Sequence, residues 1–182
     1  ASAVALFTLL TLCPPFDTVI GFANGIPEGV SAPDAATCTA LRASTDKNPL
    51  LGLQAAIRRG SPEAKLVFAK HASQIVKIQE ICNNAAPGFN HDQILKDAKQ
   101  YGEDAARSGL EQAFTFMAYA HQTGMFGKPD LMQSYAYTLA LSRSNKSAEL
   151  SDRLDFLDKQ LTKPQIDDAR SFALGCQAAH KL

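Results

Sequence analysis

Two stretches of this 182-residue chain match when one is slid 49 positions onto the other. The first runs Ala56-Ile57-Arg58-Arg59-Gly60-Ser61-Pro62-Glu63-Ala64 and on to Phe68-Ala69; the second runs Ala105-Ala106-Arg107-Ser108-Gly109-Leu110-Glu111-Gln112-Ala113 and on to Met117-Ala118. Ala56, Arg58, Gly60, Ala64 and Ala69 coincide with Ala105, Arg107, Gly109, Ala113 and Ala118, and Phe68 meets an equally apolar Met117. Stacked helical hairpins are written this way: a helix stops at Gly, breaks for about two or three residues, and restarts on small residues. Chance identity in an Ala-rich chain is the competing explanation. Against it, both copies fall at a predicted helix-to-helix joint, where Gly and small residues have a mechanical reason to be.

Bulk properties point the same way. The length suits one domain with a substantial core. Trp is absent and Val and Ile are outnumbered by Ala and Leu, so an all-α fold is expected. Lys and Arg number 18, Asp and Glu 18, and the formal net charge is zero. A nucleic-acid binder concentrates its basic residues on one face, whereas Lys96, Lys99, Arg107 and Lys146 are spaced like solvated helix faces. Nucleic acid is therefore not an expected partner.

Residues 1–23 differ from the rest. Ala1 to Leu12 is uncharged and apolar, and the first charged residue is Asp17. Such a run is too short to span a bilayer but suits a secretory signal, with Gly21-Phe22-Ala23 or Val30-Ser31-Ala32 as a small-x-small cleavage site. The reading is a signal peptide or its remnant over 1–23, a flexible linker over 24–33, and a helical domain over 34–182, with no membrane span in the mature chain. A buried N-terminal helix broken by Pro14-Pro15 is the alternative.

If Cys13 leaves with that segment, Cys38, Cys82 and Cys176 remain. A Cys38–Cys82 bridge is expected, contributing on the order of 3–4 kcal/mol in the chain-entropy model. Cys176 then stays a buried thiol or competes for the same partner. Such cysteines are consistent with an oxidising compartment, and a periplasmic or secreted setting is expected. No two Cys or His residues sit at zinc spacing, so neither a metal nor a cofactor is expected.

From Asp34 onward the punctuation is helical. Asp34 caps a helix to Leu41 or Arg42, and Pro49 opens one that Gly60 ends. Ser61-Pro62-Glu63 starts a long helix whose apolar face continues to Cys82. Asn83 to Asn90 is a loop, and His91 to Ser108 a helix closed by Gly109. Leu110 to Thr123 is the next, ended by Gly124. Lys128-Pro129-Asp130 opens another to about Ser142. Ala148 to Leu161 and Pro164 to Ala179 form a closing pair, with Thr162 and Gln165 as cap residues.

The segment Gly109-x-x-x-Ala113-x-x-x-Met117-Ala118-x-x-His121-x-x-Gly124-x-x-Gly127-x-x-Asp130-x-x-x-x-Tyr135-Ala136-Tyr137-x-x-x-Ala140 resembles a Sel-one-like repeat, a relative of the tetratricopeptide repeats. His121 stands where that pattern has Tyr, and Ala118 replaces Gly. The best-defined repeat covers about 109–145 and a degenerate one about 60–108. The stretch 148–180, with Leu154, Leu157, Leu161 and Ala169, resembles the capping helices of such arrays. The resemblance implies a short right-handed α-solenoid of stacked antiparallel hairpins, with Met117 and Ala118 packed between helices. It also implies that Gln112, Thr115, Tyr119 and Gln122 line a concave groove, with Glu63, Leu66, Lys70 and Ser73 at the equivalent positions of the first repeat. Tyr119 is the expected anchor. Tyr135 and Tyr137 are expected to divide, one packing inward and the other near the surface.

Chemistry is not written here. His71, His91, His121 and His180 lack a carboxylate at a telling offset; His121 is expected in the core, and His91-Asp92 reads as a helix start. Glu149, Asp152, Asp155 and Asp158 read as a solvated helix face balanced by Arg153 and Lys159. Cysteine-rich members of the family act on β-lactams, but their paired cysteines are missing. The function expected is therefore a non-catalytic binding module of the bacterial envelope, monomeric in isolation, holding another protein as an adaptor, assembly factor or immunity-type inhibitor. The alternatives are an enzyme acting on the cell wall or a β-lactam, and a structural subunit that keeps its apolar N-terminus as a docking arm.

Overall fold

The computed structural model describes residues 5, 7, 34–44, 49–73, 75–76 and 91–178, and every regular element among them is an α-helix. In chain order these are α1 (Ala35–Ser44), α2 (Pro49–Arg58), α3 (Pro62–Lys70), α4 (His91–Arg107), α5 (Glu111–Thr123), α6 (Leu131–Ser144), α7 (Ala148–Asp158) and α8 (Lys163–Ala178). The all-α expectation holds. The chain divides into two compact units, residues 1–98 and 99–182, the division falling inside α4.

In the first unit, α1 starts on Asp34, whose Oδ1 accepts the Thr37 N–H at 2.6 Å. Helix α2 buries Leu50, Leu53 and Ile57, spaced to share one face, and packs against α3. Helix α3 buries Ala64, Leu66, Phe68 and Ala69. The helix expected to run unbroken to Cys82 is interrupted at His71. There φ is −107° and ψ 18°, and the His71 N–H is shared between the carbonyls of Val67 and Phe68. Helical bonding resumes with the Ile75 N–H donating to the His71 carbonyl at 2.8 Å. Phe7, fully buried, meets the His71 ring edge-on at 6.0 Å.

In the second unit, α6 packs against α5, α7 and α8, so its buried residues run almost without a gap from Ser134 to Leu141. Both Tyr135 and Tyr137 are buried, 5% and 2% exposed, which corrects the expectation that one of them lies near the surface. Residues two apart on a helix point to nearly opposite sides, and α6 has a neighbour on each. Tyr137 packs beside Phe114 and His121 of α5, and Tyr135 joins Leu157 of α7 and Ile166 and Ala169 of α8 in a second core. Thr138 removes its hydroxyl from the polar ledger by donating to the Ser134 carbonyl at 2.8 Å.

The two matched stretches form the same turn. Gly60 and Gly109 both take the left-handed backbone, φ 85° and 86°. The Gly60 N–H donates to the Ile57 carbonyl at 2.8 Å and Ser61 to Ala56 at 3.1 Å; 49 positions on, Gly109 donates to Ala106 at 2.9 Å and Leu110 to Ala105 at 3.2 Å. This paired closure satisfies carbonyls that a helix end leaves open. The next residue is extended in both copies, φ −62° and ψ 118° at Ser61, φ −67° and ψ 107° at Leu110. What differs is the cap: Ser61 Oγ accepts the Ala64 N–H, and Leu110 makes no side-chain cap.

Gly124 closes α5 in a related way, φ 73°, with the Met125 N–H donating to the Ala120 carbonyl at 2.9 Å. Its surroundings are tighter. A Cβ on Gly124 would lie 2.8 Å from Pro129 Cδ and 2.9 Å from both the Gly127 carbonyl oxygen and the Pro129 nitrogen, whereas one on Gly60 would meet nothing within 4 Å. Gly60→Ala should therefore cost only the left-handed backbone penalty, about 1–2 kcal/mol. Gly124→Ala should cost clearly more, because loop backbone must also move. Denaturant unfolding of the two variants checks the order; equal losses would contradict it.

Candidate partner-binding face

Helix α5 has two sides. Ala113, Phe114, Phe116, Met117, Ala118, Ala120 and His121 are buried, so Met117 and Ala118 pack as expected, with the Met117 sulfur filling the space a side chain at Gly102 would need. On the other side Gln112 and Thr115 are exposed, Tyr119 is half exposed at 51%, and Gln122 is partly buried. Spacings of three, four and three residues put these four on one stripe.

Two hydrogen bonds fix what lies beside that stripe. At the start of α5, Asn145 Nδ2 donates to Glu111 Oε1 at 3.2 Å; near its end, Arg153 Nη2 donates to Gln122 Oε1 at 2.7 Å. Asn145 precedes α7 and Arg153 lies within it, so the residues of α7 meet those of α5 in the same order along the chain. Helices α5 and α7 thus run side by side in the same direction, both packed on α6. Arg153, Asn145 and Glu111 were not legible as part of this face. The available clue was the Leu150, Leu154, Leu157, Leu161 spacing, which turns Arg153 and Phe156 to one flank of α7.

The corresponding set, three residues on α3 and Ser73 just beyond it, belongs to the other unit and is built differently. Glu63, Lys70 and Ser73 are exposed. Leu66 is 3% exposed and lies in the core, so its expected place in a groove is corrected: the short α3 needs that side chain for burial. Glu63 Oε2 is taken by the Ser61 hydroxyl at 2.9 Å as part of the cap. Burial lowers the Lys70 ammonium pKa, which fits a stem laid along apolar surface. Cys38 is buried at 3%; Cys82 lies outside the described residues, as do His180 and most of 1–33, and the Cys176 side chain is not described.

Three of the four histidines lie among the described residues. His121, 5% exposed, stacks on Tyr137 at 5.7 Å and 13° and meets Phe126 edge-on at 6.0 Å. Its Nε2 is buried with no partner. Burial, then the Lys99 charge, lower its pKa, with Asp130 opposing. His71 is pushed down to about 4 by burial and by Lys70. His91 is exposed at the start of α4, its Nδ1 4.0 Å from Asp92. Among the described residues no three His, Cys, Asp or Glu side chains gather as a metal site, and no helix is long and apolar enough to cross a membrane. No family model, curated protein or solved structure matches the chain.

Buried neutral rings make stability depend on pH. The unfolded chain takes up a proton near pH 6.5 at each ring, whereas native His71 and His121 resist until lower pH. The unfolded state then holds more protons, so stability is complete above about 6.5 and falls as pH drops below it. His71 alone accounts for up to about 3 kcal/mol of that loss. The thermal midpoint should fall between about pH 7 and pH 4, and His71→Phe should flatten the fall. A variant with an unchanged pH profile would show that the ring is not buried neutral.

Proposed function

We propose that the chain is a non-catalytic binding module, a short right-handed α-solenoid similar to Sel-one-like repeats, that holds a protein partner against the outer stripe of α5. The observation that carries this reading is the parallel seating of α5 and α7 on α6, tied by the Gln122–Arg153 and Glu111–Asn145 bonds. First helices of successive hairpins lie in this relation in a solenoid, and they present their outward stripes to one groove. The repeated glycine turn at 60 and 109 supports it further. Tyr119 supplies the anchor: a large ring, half exposed, with a polar tip.

Proteins recovered from the native source by the full chain and by Tyr119→Ala are the test. One partner should be lost or weakened by roughly 1–3 kcal/mol, with the thermal midpoint nearly unchanged. A variant that unfolds makes Tyr119 a core residue, and one that keeps every partner moves the binding face elsewhere.

The proposed setting is the bacterial envelope, as an adaptor, assembly factor or immunity-type inhibitor. Cys38 is 3% exposed, the burial expected of a bridged cysteine, and its proposed partner is Cys82. The burial of Phe7 against His71 favours a second reading for the N-terminus, an arm kept in the mature protein. Non-reducing peptide mapping of the native protein tests both. A Cys38–Cys82 peptide is expected, and a Cys82–Cys176 peptide would contradict it; a mature chain starting beyond Phe7 would dismiss the arm.

A further inference from the structure

Helices α5 and α7 together carry five exposed carboxylates, Glu111, Glu149, Asp152, Asp155 and Asp158, against the guanidinium of Arg153 and the ammonium of Lys159 at the far end of α7. That guanidinium is already engaged: Nη2 is bonded to Gln122, burial lowers its pKa, and Glu149 works in the opposite sense. Two large rings on these helices are about half in water, Tyr119 at 51% and Phe156 at 53%. Tyr119 stands one turn before Gln122 and Phe156 one turn after Arg153, so the rings bracket the bridge between the helices. On α7 the buried side is set by Leu157, with Leu154 packed against the same core. Helical periodicity then places Arg153, Glu149 and Phe156 on one flank, toward α5, with Asp152 beyond them.

We propose that this face takes a basic amphipathic segment of a protein partner, its apolar side chains on Tyr119 and Phe156 and its Lys or Arg side chains over Glu111, Glu149 and Asp152. The proposal rests on the binding-module reading and adds the partner's chemistry. Apolar contact with the two rings supplies the affinity, since exposed ion pairs contribute little individually. The carboxylates supply choice and approach: they attract a basic segment and repel an acidic one.

The test titrates the isotopically labelled full chain with a synthetic amphipathic helix of Leu and Lys, and with its Leu and Glu counterpart. The Leu/Lys peptide should bind saturably, with amide shifts on α5 and α7, and more weakly as salt rises. Phe156→Ser should weaken it at least about tenfold. The double variant Glu149→Gln, Asp152→Asn should lower both the affinity and its salt dependence; it leaves the packing alone and decides the matter if Phe156→Ser loses stability. Equal binding of the Leu/Glu peptide at Tyr119 overturns the basic chemistry and leaves the binding-module reading standing. Absence of saturable Leu/Lys binding, or shifts confined to α8 or to residues 1–98, overturns the proposal, and the Tyr119→Ala recovery experiment then judges the module by itself.

Discussion

A helix that stops and restarts within a few residues leaves carbonyls that no intrahelical N–H can reach. This chain answers that constraint with glycine in the left-handed region, at Gly60 and Gly109 with nearly identical φ and the same pair of backbone hydrogen bonds, and again at Gly124. The direction in which each following helix leaves depends on that closure. At Gly60 the requirement is conformational alone. At Gly124 the Pro129 ring and the Gly127 carbonyl also crowd the position, so the α5–α6 connection is held by packing as well as by backbone geometry.

Once α5, α6 and α7 are turned back on one another, their chemistry is largely decided. Helix α6 is enclosed by three neighbours, and its buried polar residues are correspondingly small, Ser134 and Thr138. The rings of Phe114, His121 and Tyr137 fill the α5 side. A histidine walled by aromatic rings packs like one of them, at a cost that rises as pH falls. The outward side of α5 and one flank of α7 stay exposed.

Much of the fold was legible because it is written in punctuation. Asp34, Pro49, Pro62, Asp130, Thr162 and the helix-ending glycines mark helix ends by local mechanisms, and local mechanisms can be read from a sequence. Burial on one helix face was harder. Tyr135 and Tyr137 were expected to divide between core and surface, yet whether a second face is covered depends on how many neighbours α6 gains. Leu66 was placed by analogy with Thr115, but α3 is short and keeps its leucine inside. Arg153 read as one charge among several on a solvated face; its bond to Gln122 spans 31 positions, and no local signal announces such a pair. Tyr119 is exposed, as the resemblance to the repeat pattern implied.

The central claim is that α5 and α7 run in the same direction on α6, which makes one face of two separate helices. Pulsed electron–electron distance measurements test it most directly, with spin labels carried on non-natural side chains so that the cysteines are untouched. One label replaces Gln112, and the second replaces either Lys146 before α7 or Asp158 at its end. Helix α7 spans about 16 Å, so parallel seating predicts a clearly shorter distance for the Gln112–Lys146 pair than for Gln112–Asp158. The reverse order would mean that the helices are antiparallel and that the shared face does not exist.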